Sequence, residues 1–260
     1  MKQKSRHSKK INNKFKRIIL LLFIVVFVLG IGYIVHYFYS SNKNKKDNTD
    51  ILNNVVIDKT EITEQKTERI LQLEELKKEN EDIVGWIQIN DTNIDYPVLQ
   101  TTDNDFYMKH NYKKESSKDG SIFLDKSYNW DIPSSNLLLY GHNNKNGTMF
   151  QDLMNYKEED FYNNHKTIRF TTLNEDSTYE VMSVFYSRVY YKNEQNVFRY
   201  YYFVNSENET DYNDFVENCK NSSIYDTGVT ANYGDQLLTL STCEYSQEDG
   251  RFVVVAKKVK

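Results

Sequence analysis

The sequence predicts a mostly β domain, a barrel or a sandwich with a few helices, held behind one membrane-spanning segment. Three observations predict this. Short apolar-rich runs recur from Val84 to Lys258, separated by Asn-, Asp- and Ser-rich stretches with turn chemistry. The aromatic share is 14 %, mostly 21 Tyr and 14 Phe, against two Pro and nine Gly, so large side chains can fill a core and a disordered or collagen-like chain is excluded. From Ile18 to Val35 there is no charged residue, and about 20 apolar residues at about 1.5 Å each cross the hydrocarbon core of a bilayer.

The segments follow in order. Residues 1–17 form a basic tail with eight of the 33 Lys/Arg and no acid. Residues 18–39 are the expected anchor, with aromatics at the far end. Basic residues before the span put the tail in the cytoplasm and the rest outside. The length of the apolar run and the lack of a small-residue cleavage site favour an anchor over a cleaved signal peptide. Residues 40–60, rich in Asn, Lys, Asp and Ser, read as a solvated stalk, and residues 61–260 as the folded domain. Within it, 61–80 reads as an amphipathic helix with Ile70, Leu71, Leu73 and Leu76 on its apolar side. Strands are expected at 84–89, 94–100, 121–125, 136–140, 167–173, 178–189, 236–245 and 251–258. A helical turn is expected at 104–111 and a short helix at 148–156. Residues 211–222 read as a helix capped by Asp211.

Without the tail, 25 basic residues face 37 acidic ones. An acidic body does not neutralise phosphates, so nucleic acid is excluded as a partner. There is no CxxC, HExxH, Gly-rich phosphate loop or GxSxG elbow, so no metal or other cofactor is expected and a serine hydrolase is excluded.

Three residues invite chemistry. Cys243 ends the run Leu237–Cys243, where a strand can hold a thiol rigidly at the edge of a cleft. His142 follows an apolar strand through Tyr140-Gly141, and glycine there allows a sharp turn or a close backbone approach. Arg251 lies eight residues after Cys243, so an antiparallel pair of strands joined by 244–250 brings the two together. Its guanidinium keeps its charge and suits a developing oxyanion. The second cysteine, Cys219, reads as a packing residue in a helix, and His110 and His165 as loop histidines.

Thr239-Leu240-Ser241-Thr242-Cys243 matches the TLxTC signature of sortases. Leu139-Tyr140-Gly141-His142-Asn143 resembles the family's histidine segment, and Arg251 falls where its arginine is expected. The interval of 101 residues from His142 to Cys243, the helix within it, the helix at 61–80 and Gly147-Thr148-Met149-Phe150 resemble class B. The resemblance implies a closed β-barrel of about eight strands, with N-terminal helices and a helical insertion before the cysteine strand. It implies a Gram-positive surface enzyme that cleaves an NPxTx-like sorting signal of secreted proteins after Thr. The cleaved end is joined to an amine of a peptidoglycan precursor. Cys243 would be the nucleophile, His142 the acid–base and Arg251 the oxyanion partner. Tyr140, Ser241, Glu244 and Asn104 would contact the substrate. Two other readings stay open on the residues alone: a cell-wall cysteine peptidase that only hydrolyses, and a tethered binding module whose cysteine is structural.

Overall fold

The computed structural model describes residues 13–52, 55–63 and 66–260, so most of the expected basic tail lies outside the described residues. Helix α1 (Asn13–Thr49) holds the apolar run. Its stretch Lys16–Asp47 is long and apolar enough to cross a bilayer. The chain divides into two units between Asn44 and Lys45, and the second carries the chemistry.

That unit begins inside the expected stalk. Ile51 is 2 % exposed and packs with Leu73, Leu76 and Trp86. Leu52 and Val55 pack against the same cluster, and the surrounding polar residues hide this apolar docking point in the sequence. Burying such a side chain contributes about 1.5–3 kcal/mol, enough to pin a segment otherwise suited to water. Helix α2 (Glu68–Glu79) is shorter than expected and buries Ile70, Leu71, Leu73 and Leu76. The residues before it hold instead a 3-10 turn at Lys59–Glu61, capped by the Asp58 side chain.

Eight strands follow: β1 (Ile83–Gln88), β2 (Asp95–Leu99), β3 (Ile122–Leu124), β4 (Asn136–Tyr140), β5 (Thr167–Thr171), β6 (Asp176–Arg188), β7 (Leu237–Cys243) and β8 (Gly250–Lys258). They close into a barrel in the order β1-β2-β3-β4-β7-β8-β6-β5. The pairs β2/β3 and β4/β7 are parallel. Closure leaves no open edge. It also explains why β7 reads as a nearly unbroken apolar run: six of its seven residues are buried, with barrel interior on one face and a covering layer on the other. Helix α4 (Glu209–Ser222) packs over β6 and turns Tyr212, Phe215, Val216 and Cys219 inward.

Two local expectations need correction. The residues at 148–156 form a 3-10 stretch, Gln151–Lys157, followed by a short helix α3 (Glu159–Asn164). The cap of α4 is Asn208, whose side chain accepts from the Asp211 backbone N–H. Asp211 therefore lies inside the first turn, where its charge suits the positive end of the helix dipole.

Candidate active site

The parallel pair β4/β7 brings the two sequence-distant segments together. Tyr140 lies opposite Ser241, and the Thr242 hydroxyl donates to the Gly141 carbonyl at 2.8 Å. The ends of both strands are thus locked side by side, one continuing to His142 and the other ending at Cys243. Gly141 is required for this: a Cβ there would lie 2.4 Å from Ile122 Cδ1 and 2.7 Å from Phe150 Cδ2. Across the β7/β8 hairpin Cys243 is paired with Arg251, the juxtaposition expected from their spacing. Asn143 Nδ2 donates to the Cys243 carbonyl at 3.0 Å and tethers the histidine segment to the cysteine.

His142 Nε2 lies 2.8 Å from the Met108 carbonyl. A carbonyl only accepts, so Nε2 carries the proton and Nδ1 is the nitrogen left for the sulfur. The imidazole pKa is raised, first by hydrogen bonding with Cys243 and then, against desolvation, by the Met108 carbonyl. The Cys243 thiol is pulled down, first by His142 and then, against desolvation, by the Arg251 charge. Both shifts favour a thiolate beside an imidazolium. Arg251 Nη1 donates to the Gly250 carbonyl at 2.8 Å and the Asp249 carbonyl at 3.2 Å, which holds the guanidinium without neutralising it. His110 and His165 differ in kind: each stacks on a phenylalanine, Phe106 and Phe161, with ring centroids 3.9 Å apart.

The three residues open on a cleft of about 460 Å³ also lined by Asn104, Tyr140 and Tyr201. A larger cleft of about 750 Å³ lies at the other ends of β4 and β7, around Leu137 and Gln236, with no cysteine or histidine on its walls. Chemistry rather than size distinguishes the two.

Of the expected contact residues, Tyr140 and Asn104 line the cleft and converge on one carboxylate. Tyr140 donates to Asp125 at 3.1 Å and Asn104 Nδ2 at 2.8 Å. Ser241 borders the cleft but is 2 % exposed, and its hydroxyl is 2.7 Å from Tyr200 OH. The Glu244 carboxylate turns into the β7–β8 loop and accepts from Ser246 N and Oγ. Sequence reasoning missed Asp125, Tyr200 and Tyr201. The run Tyr200-Tyr201-Tyr202 is a visible aromatic cluster, whereas Asp125 reads only as the polar end of a strand.

Comparison with known proteins fits this geometry. The family described as the sortase domain matches residues 87–259. The chain belongs to the sortase family. Its relatives place it in the sortase B subclass. Sortase B of Listeria monocytogenes is 38 % identical over 190 residues, covering 72 % of this chain and 74 % of that protein. Sortase B of Staphylococcus aureus is 33 % identical over 251 residues, covering 95 % and 98 %. Among solved structures, sortase B of B. anthracis in complex with AAEK1 superposes with a TM-score of 0.72 at 34 % identity, covering 86 % of this chain and 99 % of that one. This sortase is therefore a cysteine transpeptidase of the B type, with the fold and chemistry of sorting-signal cleavage and cell-wall anchoring.

Proposed function

We propose that Cys243, His142 and Arg251 carry the transpeptidation, and that the substrate is an NPxTx-like signal of a secreted protein. The observation that carries this reading is the convergence of a lowered thiol, a raised imidazole and a strand-paired guanidinium on one cleft. Cys243 Sγ attacks the carbonyl carbon of the signal's Thr, and negative charge moves to its oxygen beside Arg251. As the C–N bond breaks, imidazolium His142 gives its proton to the leaving amine, and a thioester remains. A peptidoglycan-precursor amine then attacks the thioester. His142 takes the amine's proton, the C–S bond breaks and the thiolate returns.

Asn104 and Tyr140 contact the early residues of the signal, their orientation set by Asp125. Ser241 acts indirectly by holding Tyr200, and Glu244 by shaping the β7–β8 loop. The chain is a single-pass membrane protein with tail 1–17 in the cytoplasm, anchor 18–39, a connecting segment 40–60 that docks on the domain at Ile51, and catalytic domain 61–260 on the outer face. The apolar helix and the excess of basic residues before it support that orientation.

The test is cleavage of a quenched fluorescent NPxTx peptide by the full chain in detergent, with and without an added amine. Cleavage at the Thr bond and amine-dependent product, both lost in Cys243→Ala, are expected. Hydrolysis with no transfer to any amine would leave the peptidase reading in its place.

A further inference from the structure

We propose that Tyr107 is a positioning residue for His142, acting through the Met108 carbonyl, and that by this route the end of α2 braces the active site. The inference rests on the reading of His142 as the acid–base. Met108 closes a 3-10 turn of three residues, Phe106–Met108. So short a turn has little stability of its own, yet its last carbonyl is the partner of His142 Nε2. Something else must hold it.

Tyr107 is 1 % exposed, and its phenol has two partners. It donates to Asp82 Oδ2 at 2.8 Å and accepts from Asn80 Nδ2 at 2.9 Å. Asn80 is the C-cap of α2, is itself buried, and also donates to the Tyr112 carbonyl at 2.6 Å. Asp82 is fixed by its backbone bond to Asn80 Oδ1 at 3.0 Å and by Lys114 at 2.9 Å. Gly120, at φ +62°, lies close to the same turn, with no room for a side chain. A Cβ there would lie 2.8 Å from the Tyr107 carbonyl, 2.9 Å from the Met108 carbonyl and 2.9 Å from His142 Cδ2. Gly120 thus leaves turn and imidazole no room on its side, while the phenol ties the turn to Asn80 and Asp82. A buried phenol needs hydrogen-bond partners in any case; here both partners lie on the segment that ends α2, so the bonds tie the turn to that helix. Misplacement by about 1 Å at such a distance from the chemistry costs up to about a hundredfold in rate.

Tyr107→Phe keeps the ring and removes both bonds. Asn80 retains Tyr112 and Asp82 retains Lys114, so neither is orphaned. In the full chain, kcat on the peptide is expected to fall about tenfold with KM within about twofold. A second readout is independent of turnover. Cys243 and Asp119 act on the His142 charge, and Arg251 and Asp105 line the same cleft. The His142 ring proton is followed by NMR in a Cys243→Ala background, where the thiol no longer couples and the other groups are unchanged. Adding Tyr107→Phe should move the His142 titration to lower pH, because a loosened carbonyl stabilises the imidazolium less. Asp82→Asn, which still offers an acceptor to the phenol, should stay near wild type. Asp82→Ala removes one of the two bonds, should shift kcat and the His142 titration in the same direction as Tyr107→Phe but by less, and carries the same test if Tyr107→Phe does not fold. An unmoved His142 titration together with unchanged kcat per folded molecule would overturn the proposal, even if the melting temperature drops. If the peptide is not cleaved by any form, the NMR titration still decides this point separately from the functional reading.

Discussion

Cys219 sits inside α4 with none of its surface exposed, whereas Cys243 ends β7 half-buried at the edge of a cleft. Both thiols are free. Burial alone pushes the Cys219 thiol well above its ordinary value, and no charge opposes it. At Cys243 burial acts in the same direction but loses to His142 and Arg251. Desolvation makes a thiol inert unless opposite charges are desolvated with it. The closed barrel supplies that condition at one strand end and withholds it under the helix.

The sharpest way to break this contrast is to exchange the two by mutation. Cys243→Ala should lower peptide cleavage at least about a thousandfold, since it removes the atom that bonds to substrate, while Cys219→Ala should keep wild-type kcat/KM. Equal losses from both would mean that Cys243 matters for folding rather than chemistry. Arg251→Ala comes next, with an expected loss of about a hundredfold, the scale of a missing oxyanion donor. Arg251→Lys should retain part of the activity that Arg251→Ala loses. Full activity in Arg251→Ala would remove the guanidinium from the reaction.

Much of this contrast was legible in the sequence because it depends on strand periodicity and spacing. The run Asn136–Tyr140 is bounded by polar residues and forms β4 with those limits. The eight-residue separation of Cys243 and Arg251 translates directly into hairpin register. What stayed hidden depends on backbone atoms and on residues with ordinary local settings. The partner of His142 is a carbonyl 34 residues earlier, and a carbonyl has no residue signature. Gly120, in Lys118-Asp119-Gly120-Ser121, reads as one more turn although a side chain there would collide with the imidazole. Ile51 lies in a polar stretch, and only the tertiary fold shows that it docks. Asn208 outcompetes Asp211 as the cap of α4 because the helix starts three residues earlier than its apolar face suggests.

The pH dependence of thiol alkylation sharpens the comparison further. The Cys243 pKa is lowered, so its thiolate fraction rises at lower pH than that of an ordinary thiol, and alkylation of the native protein should follow that midpoint. His142→Ala removes the largest cause of the lowering. The midpoint should therefore move up, and labelling near neutral pH should slow severalfold. A midpoint that stays in place in His142→Ala would assign the lowering to Arg251 instead. Cys219 should not label at all until the protein unfolds, which peptide mapping of the labelled chain can check.

The smallest effect is expected at the inert thiol, and it is one of stability alone. Cys219 is packed against the barrel core, and the Ser183 hydroxyl donates to its carbonyl at 2.6 Å, a bond that depends on the backbone and not on the sulfur. Cys219→Ser would put a hydroxyl where an apolar sulfur sat and should cost about 1–3 kcal/mol. Cys219→Ala leaves only a small cavity and should cost less. Thermal melts of the two variants therefore test the packing assignment by their order. If Ser were the milder change, the site would have to offer the hydroxyl a partner, and the view of Cys219 as a thiol silenced by desolvation alone would fail.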